Sequence, residues 1–449
     1  MPKFSRRLAL LAAVTMPLAL GLPSVGRAED LMQVYREAQQ YDPVLASARA
    51  SWTATQERVP QALSGLLPNV GLTGNANYND GRTTIKVEPR SITANSYQNY
   101  NYAISAAQPL FRMQNMIAFD QAKQQVAQAD YVLALAQQDL MLRVTVAYFD
   151  VLLAEVTIEL NDAQKAAVSE QLAQAKRNFE VGVATITDTN EAQAKYDSIV
   201  AQEIVSRNDL DNKRTALRAI IGRFPKSLKK LGPGFEPQPP APNTLEAWVQ
   251  RADADNLAVR VAQYNYDVAT LEVGRARAAH YPTVDLVGSY GNNAGTGSIA
   301  NDFDISGRTA TIGVALNVPI YQGGAINSRV REALAQQEKF RQDLEIARRN
   351  ALFNAQIGFS GVNSAVALVK AIEQTVISTQ VALESNRLGQ EVGVRTNLDV
   401  LNVQQSVYSA RRDLAQAYFN FLTSTLRLKA SVGGLTEADL EELNRRLGG

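Results

Sequence analysis

EVGVATITDTNEAQ at residues 180–193 and EVGVRTNLDVLNVQ at residues 391–404 are nearly the same fourteen letters, 211 positions apart and identical at seven of them. The echo spreads outward from there. LLPNVGLTGNANYN (66–79) matches HYPTVDLVGSYGNN (280–293) through Pro68/Pro282, Val70/Val284, Leu72/Leu286 and Gly74/Gly288, and QPLFRMQN (108–115) pairs with VPIYQGGA (318–325) through Pro109 and Pro319. The offsets of 214, 210 and 211 residues mark a duplicated domain, because solenoid repeats are only a few tens of residues long. The reading divides the chain into a leader (1–28), a first repeat (29–224), a linker (225–243), a second repeat (244–432) and a C-terminal segment (433–449). Six prolines between Pro225 and Pro242 predict an extended linker.

Each repeat alternates two textures. From Leu110 to Val181 there is neither Gly nor Pro in 72 residues, and Ala, Gln, Leu and Glu dominate, which predicts one continuous helix. Some 65 helical residues span roughly 100 Å, wider than a compact domain. The second repeat has no proline after Pro319 and reads alike, apart from Gly358 and Gly361. The quoted stretches break these helices at Gly182 and Gly393 and restart them near Asp188 and Asp399, giving turns at about 179–190 and 389–400. Thr396-Asn397-Leu398-Asp399 has the form of a capping box, and Asp188 falls in a first turn, where a carboxylate suits the helix dipole. After each turn come 39 residues free of Gly and Pro. In the second copy Val400, Val407, Leu414, Phe421 and Leu428 recur every seven residues, with Val403, Ala410, Ala417 and Ser424 three later, the seam of a coiled coil. The first copy keeps the frame with Tyr196, Leu210 and Leu217 and with Ala192, Ile199, Ser206 and Ile220, interrupted by Glu203 and Lys213.

The other texture alternates. Val70, Leu72, Gly74, Ala76 and Tyr78 are interleaved with Asn69, Gly71, Thr73, Asn75 and Asn77, and Tyr100, Tyr102, Ile104 and Ala106 repeat the pattern. Val284, Leu286, Gly288 and Tyr290, then Ile312, Val314, Leu316 and Val318, do so in the second repeat. Strands are expected at about 68–79, 98–109, 282–291 and 308–319, around loops at Asp80–Ser96 and Asn292–Gly307. Each has about the ten-residue length of a tilted membrane-spanning strand, apolar on one side and small or polar on the other. A soluble α+β protein with two hairpins is the alternative, but four segments of matching length at equivalent places favour the membrane. Four strands cannot close a barrel, because open edges in lipid leave unpaired N–H and C=O groups and bacterial barrels have at least about eight strands. Several chains must share one wall, with two or three copies both able to close it.

The N-terminus predicts export: Lys3, Arg6 and Arg7 precede the apolar run Leu8–Leu20, and Gly26-Arg27-Ala28 offers small residues for cleavage before Glu29. Without Lys3, Arg6, Arg7 and Arg27 the mature chain carries 41 basic against 44 acidic residues, not the basic excess expected of a nucleic-acid protein. Beyond the leader no stretch approaches the ~18 to 20 uninterrupted apolar residues of a membrane-spanning helix. Cysteine is absent, so packing or assembly must replace disulfides, and an acylated N-terminal anchor is not expected. His280 is the only histidine and stands at a helix-to-strand junction, where a helix-end interaction outweighs catalysis. No phosphate-binding loop, HExxH or close ligand cluster occurs, and no catalytic residue, metal or cofactor is expected.

In its order of elements the mature chain resembles the TolC family of outer-membrane efflux ducts, carried by the leader, the two hairpin-plus-long-helix halves, VPIYQGG (318–324), VGVRTNLDVL (392–401) and VGVATITD (181–188). The resemblance implies a homotrimer in the outer membrane of a Gram-negative bacterium, a twelve-stranded β-barrel continuing into a twelve-helix coiled-coil tunnel across the periplasm. The linker and C-terminal segment would form a belt around it. It implies a periplasmic adaptor and an inner-membrane pump or ABC transporter as partners, in efflux or type I secretion. By position it places a ring of Asp399 at the periplasmic mouth, and latches from Arg395 to Thr187 and Asp188. A second acidic ring of the family falls on Asn402 here, and an aromatic link falls on Gln390, so one charged ring and a weaker latch are expected. A periplasmic coiled-coil adaptor or scaffold would share the seam, but has no need of four membrane-length strands.

Overall fold

The computed structural model of the protein describes residues 28–447 except 82, 88, 95–96, 233–234 and 297–304. The expected leader, apart from Ala28, lies outside the described residues. The Gly- and Pro-free stretch of the first half forms α4 (Met113–Glu180), 68 residues and so about 100 Å long. Its counterpart α8 (Ala325–Glu391) has 67 residues. Each is followed, after a tight turn, by a helix that returns alongside it: α5 (Ile186–Ile221) packs on α4, and α9 (Asn397–Ser431) on α8. Gly358 inside α8 has a packing reason. A Cβ there would lie 3.2 Å from Leu428 Cδ1 and 3.4 Å from Leu428 Cα, so its absence lets α9 approach closely.

Shorter helices precede each hairpin. α1 (Leu31–Tyr41) corresponds to α6 (Leu245–Asp255), and α2 (Pro43–Gln56) with α3 (Arg58–Ser64) corresponds to α7 (Leu257–Arg277). The first copy is split at Glu57 because Pro60 cannot donate to the carbonyl four residues back and its ring crowds it. Gly274 stands at the matching place in the unbroken α7. His280 ends a single 3-10 turn after α7, just before the strand.

Strands β1 (Asn69–Asn79), β4 (Tyr97–Phe111), β5 (Thr283–Thr296) and β6 (Ile305–Asn317) form one antiparallel sheet in the order β1-β4-β5-β6. Val70 lies opposite Ala106, Leu72 opposite Ile104, Ile104 opposite Tyr290, Leu286 opposite Val314 and Gly288 opposite Ile312. The apolar rows foreseen on separate strands therefore merge into one face. They are exposed, Leu72 at 73% and Ile312 at 81%. Asn75, Asn101 and Asn293 share the opposite face. Among the described residues the outer edges of β1 and β6 pair with nothing.

The expected loop at 80–96 is corrected. It holds a second, two-stranded ladder of β2 (Thr83–Val87) and β3 (Arg90–Ala94), because the β-branched letters of TTIKV pair with RSITA rather than dissolving into a turn. Likewise β5 runs to Thr296, past the turn-like Gly291-Asn292-Asn293, because Gln98–Ala103 supply a ladder partner for each residue.

The main core sits midway along the long helices, not at either end. Tyr148, Val144, Leu152, Leu217, Val362 and Leu428 are fully or almost fully buried there, joined by α1, α6 and α10 (Glu437–Arg445). The proline-rich segment is no free tether. Leu228 is buried, Phe235 packs edge-on to Tyr418, and single bridges tie Glu29 to Leu228 and Leu231 to Leu447. The Tyr148 hydroxyl donates to the Lys229 carbonyl at 2.8 Å, pinning this strap to α4.

Towards the turns the packing thins to two small clusters, Val168, Leu172, Ala175, Ala192, Ile199 and Leu401 in one and Leu383, Val400 and Val407 in the other. The two charged interruptions of the first seam are ion-paired across the helix pair: Glu203 accepts from Lys165 at 2.6 Å, and Lys213 reaches Asp150 at 3.1 Å.

Candidate functional site

The two turns share one backbone plan. Gly182 and Gly393 have φ of +79° and +82°, a left-handed conformation that a side chain makes costly. The amides of Val183 and Ala184 donate to the Asn178 carbonyl at 2.9 and 3.2 Å, and those of Val394 and Arg395 donate to the Gly389 carbonyl at 2.9 and 3.1 Å. Each following helix starts with a capping box. The Asp399 amide donates to Thr396 Oγ1 at 3.1 Å, while the Thr396 amide and hydroxyl donate to Asp399 Oδ2 at 3.0 and 2.9 Å. Asp188 and Thr185 repeat the arrangement, in the same order, at 3.2, 2.9 and 2.9 Å. These bonds to Thr396 hold the Asp399 carboxyl below the usual aspartate range, with Arg395 adding a smaller attraction.

Around this frame the foreseen site residues are distributed unevenly. Asp399 and Arg395 are close enough to interact within one turn. Thr187 is exposed on the first turn of α5, and no ion pair joins Arg395 to Asp188 among the described residues of the chain. Asn402 is exposed one turn beyond Asp399, its carbonyl accepting from Ser406. Gln390 makes a local link instead of an aromatic one, its amide donating to Asn397 Oδ1 at 3.3 Å. The acidic groups and the one basic group foreseen thus lie on two neighbouring turns at the same end of the coiled coils.

Several residues escaped the sequence reading. Leu401, just off the seven-residue frame, inserts into the α4–α5 cluster and ties the two hairpins together, as does the bond from Lys195 to Gln405. Gln404 is 1% exposed, yet neither amide atom has a partner among the described residues, a polar flaw inside the same contact. A burial pattern summed over two helices, not one, was the signal that would have found them.

Comparison with known proteins agrees with this geometry. Residues 34–223 and 248–434 match the family described as outer membrane efflux protein. Outer membrane protein TolC of Vibrio cholerae serotype O1 is 35% identical over 438 residues, covering 96% of each chain. Proteases secretion protein PrtF of Dickeya chrysanthemi is 30% identical over 443 residues, covering 98% of this chain and 95% of that one. The crystal structure of outer membrane protein VceC from Vibrio cholerae superposes with a TM-score of 0.74 at 20% identity, covering 90% of this chain and 96% of that one, which shows the shared fold. That family is one of transport channels rather than enzymes, and it resides in the Gram-negative outer membrane. With a sheet bearing an exposed apolar face, helices about 100 Å long and this match across both halves, the chain belongs to the outer membrane efflux protein family and is an outer-membrane efflux and secretion duct.

Proposed function

We propose that three copies close a twelve-stranded barrel whose helices continue as a periplasmic tunnel, and that the tip turns gate it. The observation carrying this is a four-stranded sheet with an exposed apolar face and two unpaired edges, which is unstable in lipid until another copy covers those edges. The same reading takes residues 1–28 as a cleaved leader, 29–224 and 244–432 as the repeats, and 225–243 with 433–449 as the belt. A periplasmic adaptor and an inner-membrane pump or ABC transporter complete the path, a reading supported by relatives named for protease secretion.

The repeat specifies how copies join. Gly74 faces Tyr102 within the first half, and Gly288 faces Ile312 within the second, so the strands superpose at offsets of 214 and 210. The junction between halves sets Ala106 opposite Gly288. Applying the same offsets, Leu316 falls opposite Gly74 of the next copy, Val314 opposite Ala76 and Asn317 opposite Thr73. The apolar faces then run on without a break, and Gly313, where a Cβ would meet nothing within 4 Å, leaves room for Asn77. Because the chain has no native cysteine, Thr73→Cys with Asn317→Cys is expected to yield oxidised trimers on denaturing gels, whereas Thr73→Cys with Ala315→Cys is not. Equal cross-linking of both pairs would remove the register.

At the mouth, three Asp399 carboxylates form a ring that attracts cations. Arg395 reaches Thr187 and Asp188 of an adjacent turn on closure; Asp188 spends Oδ2 on its cap and keeps Oδ1 for the latch. An exposed pair of this kind contributes about 0.2–1 kcal/mol, so three contribute about 0.6–3 kcal/mol, a latch that partner docking can release. In planar bilayers Arg395→Ala is expected to raise the opening equilibrium roughly 3- to 150-fold, and Asp399→Ala to weaken cation selectivity. Unchanged values in both would remove the gate assignment.

A further inference from the structure

We infer that Gly389 is the positioning residue of this gate: its missing side chain is the seat in which the stem of Arg395 lies, and the inference rests on the gate reading of Arg395. A Cβ at residue 389 would lie 2.7 Å from Arg395 Cγ, 3.4 Å from Arg395 Cβ and 3.5 Å from Val394 Cγ2. These are atoms at the root of the side chain, which cannot swing aside as a terminal guanidinium can. No other helix contributes to the nearest contacts, so the glycine does not serve helix–helix packing as Gly358 does.

Backbone conformation does not require glycine here either. Gly389 lies within α8 and is absent from the residues with positive φ, and glycine is the poorest helix former after proline. The matching position in the first turn shows that a side chain is compatible with the same backbone. Asn178 occupies it, its carbonyl accepts the same two amides, and the residue six further on is Ala184 instead of Arg395. The two turns thus exchange bulk between two places: a side chain at the first and a methyl at the second in one, nothing at the first and a long cation at the second in the other. Gly389 is what makes a basic group compatible with this turn, and it sets the direction from which the guanidinium leaves.

The test is a double-mutant cycle in planar bilayers on the full trimer. Gly389→Ala, which favours the helix, is expected to fold and to raise the opening equilibrium towards the roughly 3- to 150-fold increase of Arg395→Ala. Gly389→Ala with Arg395→Ala, which closes the cycle, and Gly389→Asn with Arg395→Ala, which copies the first turn, are both expected to match Arg395→Ala alone. Additive effects would mark a merely structural glycine, and a wild-type opening equilibrium in Gly389→Ala beside a raised one in Arg395→Ala would overturn the inference while leaving the gate intact. If Arg395→Ala changes nothing, the gate reading fails, and a nitroxide on Arg395→Cys still decides the seat. Its spectrum is expected to become more mobile when Gly389→Ala is added, and identical spectra would overturn the positioning role.

Discussion

Ile312→Arg is expected to remove the duct from the outer membrane, while Thr311→Arg, one residue earlier, is expected to leave it there. Ile312 lies on the apolar face, 81% exposed and opposite Gly288. Thr311 lies on the polar face opposite Ser289. An arginine facing lipid near the bilayer midplane costs about 2–4 kcal/mol in a transmembrane barrel. Three copies would bring that to about 6–12 kcal/mol, comparable with the whole ~5–15 kcal/mol net stability of a typical fold. In the proposed barrel the polar face lines the lumen, so Thr311→Arg is expected to leave assembly intact and to lower cation conductance. The measurement is the amount of heat-resistant trimer in outer-membrane fractions. Equal loss in both variants, or in neither, would contradict the assignment of faces.

The second large effect is expected where α1 meets α2 against α4. Asp42 caps α2 by accepting from the Leu45 amide at 2.8 Å, and Arg143 donates to its two oxygens at 3.0 and 2.9 Å. The Asp42 side chain is 2% exposed, so Arg143→Ala strands a buried carboxylate and is expected to cost about 2–4 kcal/mol per subunit, below the full buried-pair penalty because Arg143 is 29% exposed. Asp42→Asn in the same background should recover part of this, since asparagine also caps and carries no charge. The sign with pH follows from the carboxyl. Hydrogen bonds from Arg143 first, then from the Leu45 and Val44 amides, hold it below its ordinary 3.8 against the opposing effect of burial. The stability it contributes is therefore complete above that ordinary value and disappears as pH falls through the lower folded value. In Arg143→Ala the guanidinium no longer opposes burial, so the folded value rises, this carboxyl's loss of stability on acidification shrinks, and the substitution costs less at acidic than at neutral pH. Thermal unfolding across acidic pH measures this, and parallel curves for the two proteins would refute it.

Much of the tip was legible because its determinants are neighbours in the chain. Gly182 and Gly393 stop helices that nothing else in 72 and 67 residues interrupts, and Thr396 finds its capping partner Asp399 three residues away. Gly389 was not legible. A glycine near a helix end reads as a weak point in the helix, and only the fold of the turn brings Arg395 back over it. Leu401 and Gln404 were missed for a related reason: a seven-residue frame describes one seam, and α9 has contacts with both α8 and the α4–α5 pair. The ladder at 83–94 reads as a loop in the sequence because its polar, β-branched letters suit either state until a second strand is placed beside them.

The chain alone reveals the duplication, because two stretches repeat the same letters, and it reveals the lengths of the helices, the alternation of the strands and the capped turns, because these depend on residues a few positions apart and on the periods of helix and strand. It takes the folded chain to show that β4 of one half pairs with β5 of the other, that four separate apolar rows make one face, and that the proline-rich strap closes over Tyr148. Those choices join residues as far apart as Ala106 and Gly288, and their free energy comes from ladder hydrogen bonds and buried area that exist only once both partners are in place.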